Sequence, residues 1–443
     1  MSATGKRVLI VTYYFPPAGG PAVQRILRFL NHLGSFNWHA TILTVKNGDF
    51  PVEDESLRSR VPDDVKVYRT HVPEPYKIYR KFTGKTEGEA LDLSLLAAQE
   101  GSHGSFRERL AILVRNWLFI PDPRIGWLPF AVLRGLRIIK KEKIDLIFSS
   151  APPNTVHLVA CLLKMCTGRK WVADFRDPWF KYLVPERKGV IPRKLDEILG
   201  RLVLRKADHC IWVCSGVRRE MERLKPRLMR GKESIITNGF EPDQFQSSEQ
   251  PKSPGFRIIY VGSLYIKYNL DSFIEALNAV YLANQKFRKD LELIFCGRVD
   301  KIVAQKLQAA EFGRNIKFLG YLPHQETIAQ MLTADLLLLY IIDSAQGKNI
   351  PTSKLFEYLG AGRVILALSP DDSDAAEILR ETQAGVIVPP ADSNAIRSAV
   401  AALYKQWCSG SLHGKGDKAK VAQYEIKNLT KRLIQVWENQ LKE

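Results

Sequence analysis

Cysteine is scarce in this sequence. Cys161, Cys166, Cys210, Cys214, Cys296 and Cys408 form no CxxC pair and match no histidine spacing, which excludes a zinc ribbon or a thioredoxin-like centre and points to a reducing cytosol. No signal peptide is expected, because residues 1–7 pass at once into a β-type run without an apolar stretch or small-residue cleavage site. The longest uncharged stretch, residues 146–163, carries Ser149, Ser150, Pro152, Pro153 and Asn154 in its middle and reads as strand, turn and helix, not as a membrane span. No GxGxxG follows the first strand, which removes most support for a nicotinamide enzyme. Acidic residues are outnumbered by basic ones, 47 to 65 over 443 residues, a formal charge of +18 that favours an anionic partner. The excess is concentrated early: residues 1–245 hold 41 basic and 26 acidic side chains.

What is present is an ordinary globular balance, 45% hydrophobic and 25% charged, on a chain long enough for two or three domains. Arg7 to Tyr13 is a continuous apolar run ended by Pro16-Pro17-Ala18-Gly19-Gly20, after which Val23, Ile26, Leu27, Leu30 and Leu33 recur at helical spacing. The same opening returns at residues 257–262 and the helical stretch after them. Further buried-strand candidates are 40–45, 146–149, 171–175, 210–214, 291–296, 316–319, 336–342 and 364–368. Helical stretches separate most of them, the signature of parallel sheets covered on both faces and hence of two doubly wound α/β domains. The expected division is residues 1–245, a polar linker at 246–255, a second domain at 256–408, and a terminal helix at 419–443 docking on the first domain. Residues 75–107, interrupted by Gly84, Gly88, Gly101 and Gly104, form the least regular stretch.

Ligands of open α/β sheets gather at the carboxyl ends of strands. Gly19 and Gly20 would let backbone N–H groups approach a phosphate or sugar, or serve only a tight turn. In Ala173-Asp174-Phe175-Arg176-Asp177-Pro178-Trp179 an apolar strand runs into two carboxylates and a guanidinium; Arg176 and Asp177 either face a ligand or pair locally. The segment from Asn349 through Ser353, Lys354 and Glu357 reads as a loop entering a helix, with Thr352 or Ser353 as cap. Free N–H groups there, with Lys354 beside them, suit a diphosphate, and Glu357 is either a carboxylate for two ribose hydroxyls or an ordinary helix-start acid. Lys267 is placed to reach the same phosphates or is solvated. Asp372-Ser373-Asp374 has the spacing of a metal-binding DxD, yet no metal is assigned to it. Arg134, Arg137 and Lys141 share one helix side, with Val132, Leu136 and Ile139 facing elsewhere, and suit an acidic membrane surface or a solvated face.

Taken together these segments resemble the retaining glycosyltransferase family 4 of the GT-B fold, of the bacterial surface-polysaccharide type. The likeness spans nearly the whole chain and rests on the opening strand with its Pro-Pro-Ala-Gly-Gly turn, Ser149 to Pro153, Ala173 to Trp179, Thr237-Asn238-Gly239-Phe240, Gly262 to Lys267, and Ser353 to Tyr358. It implies two Rossmann-like domains facing across a cleft, the first receiving the acceptor and the second a nucleotide sugar. Glu357 matches the second glutamate of the family's E-x7-E motif, which binds ribose, and Asn349 stands in the first glutamate's place. Lys267 matches a phosphate-binding lysine, while Ser263 replaces the usual arginine. Arg176 and Asp177 stand where many members carry a His-Asp pair, Gly19 and Gly20 match glycines lying against donor or acceptor, and residues 318–322 are similar to the loop that meets the base.

The expected function is therefore transfer of a sugar, without metal or other cofactor, from a nucleotide diphosphate sugar to a hydroxyl of a polysaccharide or lipid-linked acceptor. Arg176 and Asp177 would be catalytic; Gly19, Gly20, Lys267, Asn349, Ser353, Lys354 and Glu357 would bind the donor. The expected location is cytoplasmic or peripheral on an anionic membrane, with no nucleic-acid partner. A nucleotide-sugar epimerase or phosphorylase of the same fold, and a non-catalytic relative, are the rival readings.

Overall fold

A computed structural model describes residues 5–48, 50, 53–72, 120–179, 190–222, 231–246, 254–344, 347–348, 352–414 and 416–443. The irregular stretch at 75–107 and Asn349 lie outside the described residues. The chain forms two compact units: Met1–Val213, Val217–Ile236 and Thr430–Glu443 make the first, Cys214–Gly216 and Thr237–Leu429 the second.

The first unit is built on a seven-stranded sheet of order β3-β2-β1-β4-β5-β6-β7. Its strands are β1 (Lys6–Val11), β2 (Trp38–Val45), β3 (Lys66–Thr70), β4 (Leu146–Ala151), β5 (Lys170–Phe175), β6 (His209–Trp212) and β7 (Glu233–Ile235), and every pairing is parallel. The central strands are apolar on both sides because helices cover both faces; all six residues of β4 are buried. Right-handed crossovers place the helix Pro21–Leu33 on one face and the helices Leu128–Lys141, Thr155–Thr167 and Val190–Lys206 on the other. The strands missing from the sequence reading, β3 and β7, are sheet edges, half exposed, and lack a continuous apolar run.

Local chemistry fixes the helix ends. The Asp122 carboxylate accepts from the Thr155 N–H at 2.7 Å and from its hydroxyl at 2.8 Å, so the start of Thr155–Thr167 is already occupied by an internal acid. The same helix stops at Gly168, left-handed at φ 68°. In Leu128–Lys141 the inward positions are Ala131, Gly135, Ile138 and Ile139; a Cβ at Gly135 would lie 2.7 Å from Leu163, so glycine permits the close helix contact. Val132 and Leu136 are only half-buried, whereas Arg134, Arg137 and Lys141 are exposed.

The chain leaves this unit between Ile236 and Thr237 and returns at Thr430. The composition break at 246–255 lies further on, because residues just after the crossing are already stitched to the second unit: the Phe240 N–H donates to the Tyr424 carbonyl at 3.1 Å, and Ile426 N–H donates back to Phe240 at 3.0 Å. The terminal segment comprises a short helix, Lys418–Ala422, and a long one, Ile426–Lys442. Trp437 on the long helix is fully buried between Trp38 and Phe148, with ring centroids 5.0 and 5.2 Å away, and Lys6 pairs with Glu438 at 3.1 Å.

The second unit holds a parallel six-stranded sheet of order β10-β9-β8-β11-β12-β13. Its strands are β8 (Phe256–Val261), β9 (Leu291–Cys296), β10 (Ile316–Gly320), β11 (Leu336–Tyr340), β12 (Val364–Leu368) and β13 (Gly385–Val388). Alternation divides its core: Ile258 and Tyr260 of β8 enter one apolar cluster, Ile259 and Val261 the other. Among the described residues, no helix is long and apolar enough to cross a membrane.

Candidate active site

In the first unit the sequence-predicted residues stand at the carboxyl ends of β1 and β5. Gly20 is the residue before the helix Pro21–Leu33, at φ 88°, and a Cβ there would meet nothing within 4 Å. Its backbone therefore faces open space beside a helix start, with Gly19 half-buried next to it. Arg176 is nearly buried; its Nε donates to the Ala151 carbonyl at 2.9 Å and a terminal nitrogen donates to the Pro152 carbonyl at 3.1 Å. This guanidinium thus ties the end of β5 to the turn after β4. Asp177, one residue on, is half-exposed.

The carboxylate beneath them is Asp174. It is fully buried and takes two hydrogen bonds from Arg25, at 3.1 and 2.8 Å, and one from the Ser150 hydroxyl at 2.7 Å. Arg25 also donates to the Ile236 carbonyl at 2.8 Å. A buried bidentate pair with its remaining groups satisfied fixes three strand ends against one helix. Sequence reasoning quoted Asp174 but missed Arg25, whose only signal is a charge on the apolar side of an amphipathic helix.

In the second unit three glycines end three adjacent strands with left-handed backbone: Gly262 at φ 107°, Gly297 at φ 134° and Gly320 at φ 69°. The crowding is severe, since a Cβ at Gly297 would lie 2.5 Å from the Gly262 carbonyl oxygen. Lys354 fills the space below Gly262, where an added Cβ would meet its Cε at 2.5 Å. Its ammonium donates to the Tyr260 hydroxyl at 2.8 Å and lies 4.3 Å from that ring's centroid. Burial pulls this lysine down to about 8 from its usual value of 10.5, and burial likewise raises the Tyr260 phenol.

Ser353 and Lys354 open the helix Ser353–Ala361. Thr352 precedes it, but its hydroxyl makes no capping bond and is buried without a partner among the described residues, so the expected cap is not made by Thr352. Three other helices of this unit are capped, by Asp300, Ser373 and Asp392, whereas Asp271–Ala283 and His324–Thr333 also lack a side-chain cap. Glu357 lies in the next turn, partly buried, 3.9 Å from His324 Nε2. Lys267 is exposed, its ammonium 5.7 Å from the Tyr265 ring. The Asp372-Ser373-Asp374 triplet is used structurally: Lys348 pairs with Asp372 at 3.1 Å, Ser373 caps the next helix, and Asp374 is buried in that helix's first turn. Sequence reasoning missed Gly297, Tyr260 and His324, and reached Gly320 only as part of residues 318–322; for the glycines the signal was present, a glycine closing each apolar strand.

Residues 91–244 match the family model Glycosyltransferase Family 4, and residues 255–406 match Glycosyl transferases group 1. The chain thus carries glycosyltransferase domains. Its fold is that of the GT-B enzymes. HepE from Anabaena, in complex with UDP, is similar at TM-score 0.64 and 12% identity, over 98% of this chain and 100% of that one. A glycosyltransferase from Rickettsia africae is similar at TM-score 0.63 and 13% identity, over 99% of each chain. Sucrose-phosphate synthase from Thermosynechococcus elongatus is similar at TM-score 0.62 and 14% identity, over 98% of each. No curated protein matches the chain.

Proposed function

We propose that this chain is a retaining glycosyltransferase that moves a sugar from a nucleotide diphosphate sugar to a hydroxyl of a polysaccharide or lipid-linked acceptor, without a metal ion or other cofactor. The observation that carries the reading is the start of the helix Ser353–Ala361, where no side chain caps the N–H groups, Lys354 lies under Gly262 and Glu357 follows one turn later. Uncapped N–H groups and a lysine suit a diphosphate, and a carboxylate one turn away suits two ribose hydroxyls. That HepE is in complex with UDP makes a uridine donor the first to try.

In this reaction the bond between the sugar's anomeric carbon and the diphosphate breaks. A new bond to the acceptor oxygen forms on the same face, and the acceptor's proton passes to the departing phosphate. As that bond breaks, negative charge develops on the leaving group ahead of the proton, and Lys354, Lys267 and the helix start stabilise it. No side-chain nucleophile is required. Gly19, Gly20, Arg176 and Asp177 orient the reacting groups, and Ser353 and Asn349 complete the donor contacts.

Titration calorimetry with UDP, GDP and ADP tests the binding half. One of them should bind, and Glu357→Ala should weaken it at least about tenfold with the fold retained. Binding of none, or an unchanged affinity in Glu357→Ala, removes this helix from the site. Incubation with the nucleotide sugar alone separates transfer from epimerisation, since an epimerase yields a new nucleotide sugar without acceptor. Product anomeric configuration, read by NMR, tests retention.

A further inference from the structure

Lys354 starts on one face of the second unit's sheet and ends on the other. Its helix, Ser353–Ala361, sends Leu355, Phe356 and Leu359 into the apolar cluster that holds Ile259 and Val261, whereas Tyr260 belongs to the opposite cluster with Ile258 and Phe273. The lysine stem therefore crosses the carboxyl end of β8 through the slot left by Gly262, where an added Cβ would meet Cε at 2.5 Å, Nζ at 2.8 Å and Cδ at 3.4 Å. The helix itself is pinned one turn later. There the Tyr358 hydroxyl accepts from the Val261 N–H at 2.9 Å and donates to the Leu338 carbonyl at 3.2 Å.

What meets the ammonium on the far side is the Tyr260 phenol. That hydroxyl donates its single proton to the Ser263 carbonyl at 3.1 Å, so the lone pairs of its oxygen are left for Lys354, which donates at 2.8 Å. Ser263 is the residue that replaces the usual arginine, and its backbone sets the orientation of the phenol. Among the described residues the ammonium has no other hydrogen-bond partner and no carboxylate within ion-pair distance. Its remaining N–H bonds stay available to a ligand. The ionisable groups acting on Tyr260 are the phenols of Tyr265, Tyr268 and Tyr358, and Glu357 lies on the lysine's own helix.

We propose that Tyr260 is a positioning residue of the donor site: its hydroxyl holds the Lys354 ammonium at the end of β8 so that the remaining N–H bonds meet the diphosphate, while Tyr260 itself touches no ligand. A lysine is a point charge on a flexible stem, and a ligand that must first order it binds more weakly. Threaded past Gly262 and bonded to Tyr260, Lys354 is already ordered by folding. The inference rests on the donor-binding reading of the helix Ser353–Ala361 and adds to it the group that aims its lysine.

Calorimetry and NMR of isotope-labelled lysine in the full chain test it, with the tightest binder among UDP, GDP and ADP as the probe. Tyr260→Phe keeps the ring and removes the hydroxyl. It should weaken the probe about tenfold and lower the Lys354 titration midpoint, assigned by comparison with Lys354→Met, by about one pH unit, so that affinity begins to fall at a lower pH. In the Lys354→Met background the same change should alter affinity by less than about twofold, because Tyr260 acts through that lysine. Equal losses in both backgrounds overturn the proposal, and so does a Tyr260→Phe chain that binds like the parent. One readout needs no variant of Tyr260: in the parent, the upfield shift that the Tyr260 ring gives the Lys354 ε-methylene should persist when the probe is bound. Loss of that shift makes Tyr260 a resting place for the lysine and overturns the positioning role. The titration midpoint is read without nucleotide, so the two readings fail separately. A parent that binds no nucleotide sinks the donor site and this role together; a parent that binds, with the midpoint unmoved in Tyr260→Phe, sinks this role alone.

Discussion

Lys354 loses its proton near pH 8 in the unliganded chain, because its ammonium is held among Tyr260, Gly262 and the end of β8. A diphosphate binds the charged form. Nucleotide affinity should therefore fall as pH rises through 8, by up to about tenfold per unit, and binding above that pH should take up a proton. Calorimetry in buffers of different ionisation enthalpy reads both effects from about pH 7 to about pH 9.5, and Lys354→Met should flatten the profile. A flat profile in the parent would place this lysine away from the phosphates. Arg25 and Asp174 make a different kind of pair, structural and dry. Arg25→Met alone leaves a buried carboxylate uncompensated and should cost about 3–5 kcal/mol in urea unfolding, most of which Asp174→Leu in the same chain should restore. At this scale the sequence was legible where residue type and local motif coincide, as in the loop that enters a helix at Ser353 and Lys354. It was not legible where a partner comes from far along the chain: Arg25 lies 149 residues from Asp174, and no spacing rule reaches that far.

Among elements, the interior strands were legible because both faces are buried and their sequences are unbroken apolar runs. The edges β3 and β7 were not, since half-exposed strands mix polar and apolar residues without strict alternation, and β13 was not because its apolar run is only four residues long. The apolar stripe of the terminal helix was also legible, although its chief partners, Trp38 and Phe148, are set by tertiary packing alone. Trp437→Ala should destabilise the first unit by about 3–5 kcal/mol. Hydrogen exchange should show the loss in β1, β2 and β4, with the strands of the second unit protected as before; equal loss in both units would contradict this assignment of the helix.

For the whole molecule, the two units should differ in their response to acid. His157 and His209, both in the first unit, are held down to about 3 and about 4 from 6.5, chiefly by burial. Below pH 6.5 the unfolded chain takes up protons that the folded one refuses, so stability is lost as pH falls toward those values, at about 1.4 kcal/mol per unit for each histidine. The first unit should therefore melt earlier at about pH 5 than at about pH 7, and His157→Phe should remove about half of that slope, as followed by tryptophan fluorescence. The early charge excess was plain in the sequence, whereas the place where the chain changes unit was hidden, since it depends on the pairing of Phe240 with Tyr424 and not on composition.

The docking of Thr430–Glu443 on the unit that begins the chain has a consequence for synthesis. A ribosome makes the second unit's own segments in full before it reaches Trp437, so the nascent first unit must wait with Trp38 and Phe148 unroofed until residues 430–443 have been made. The domain started first is thereby finished last, and nascent chains stalled short of residue 430 should leave that gap open to chaperones.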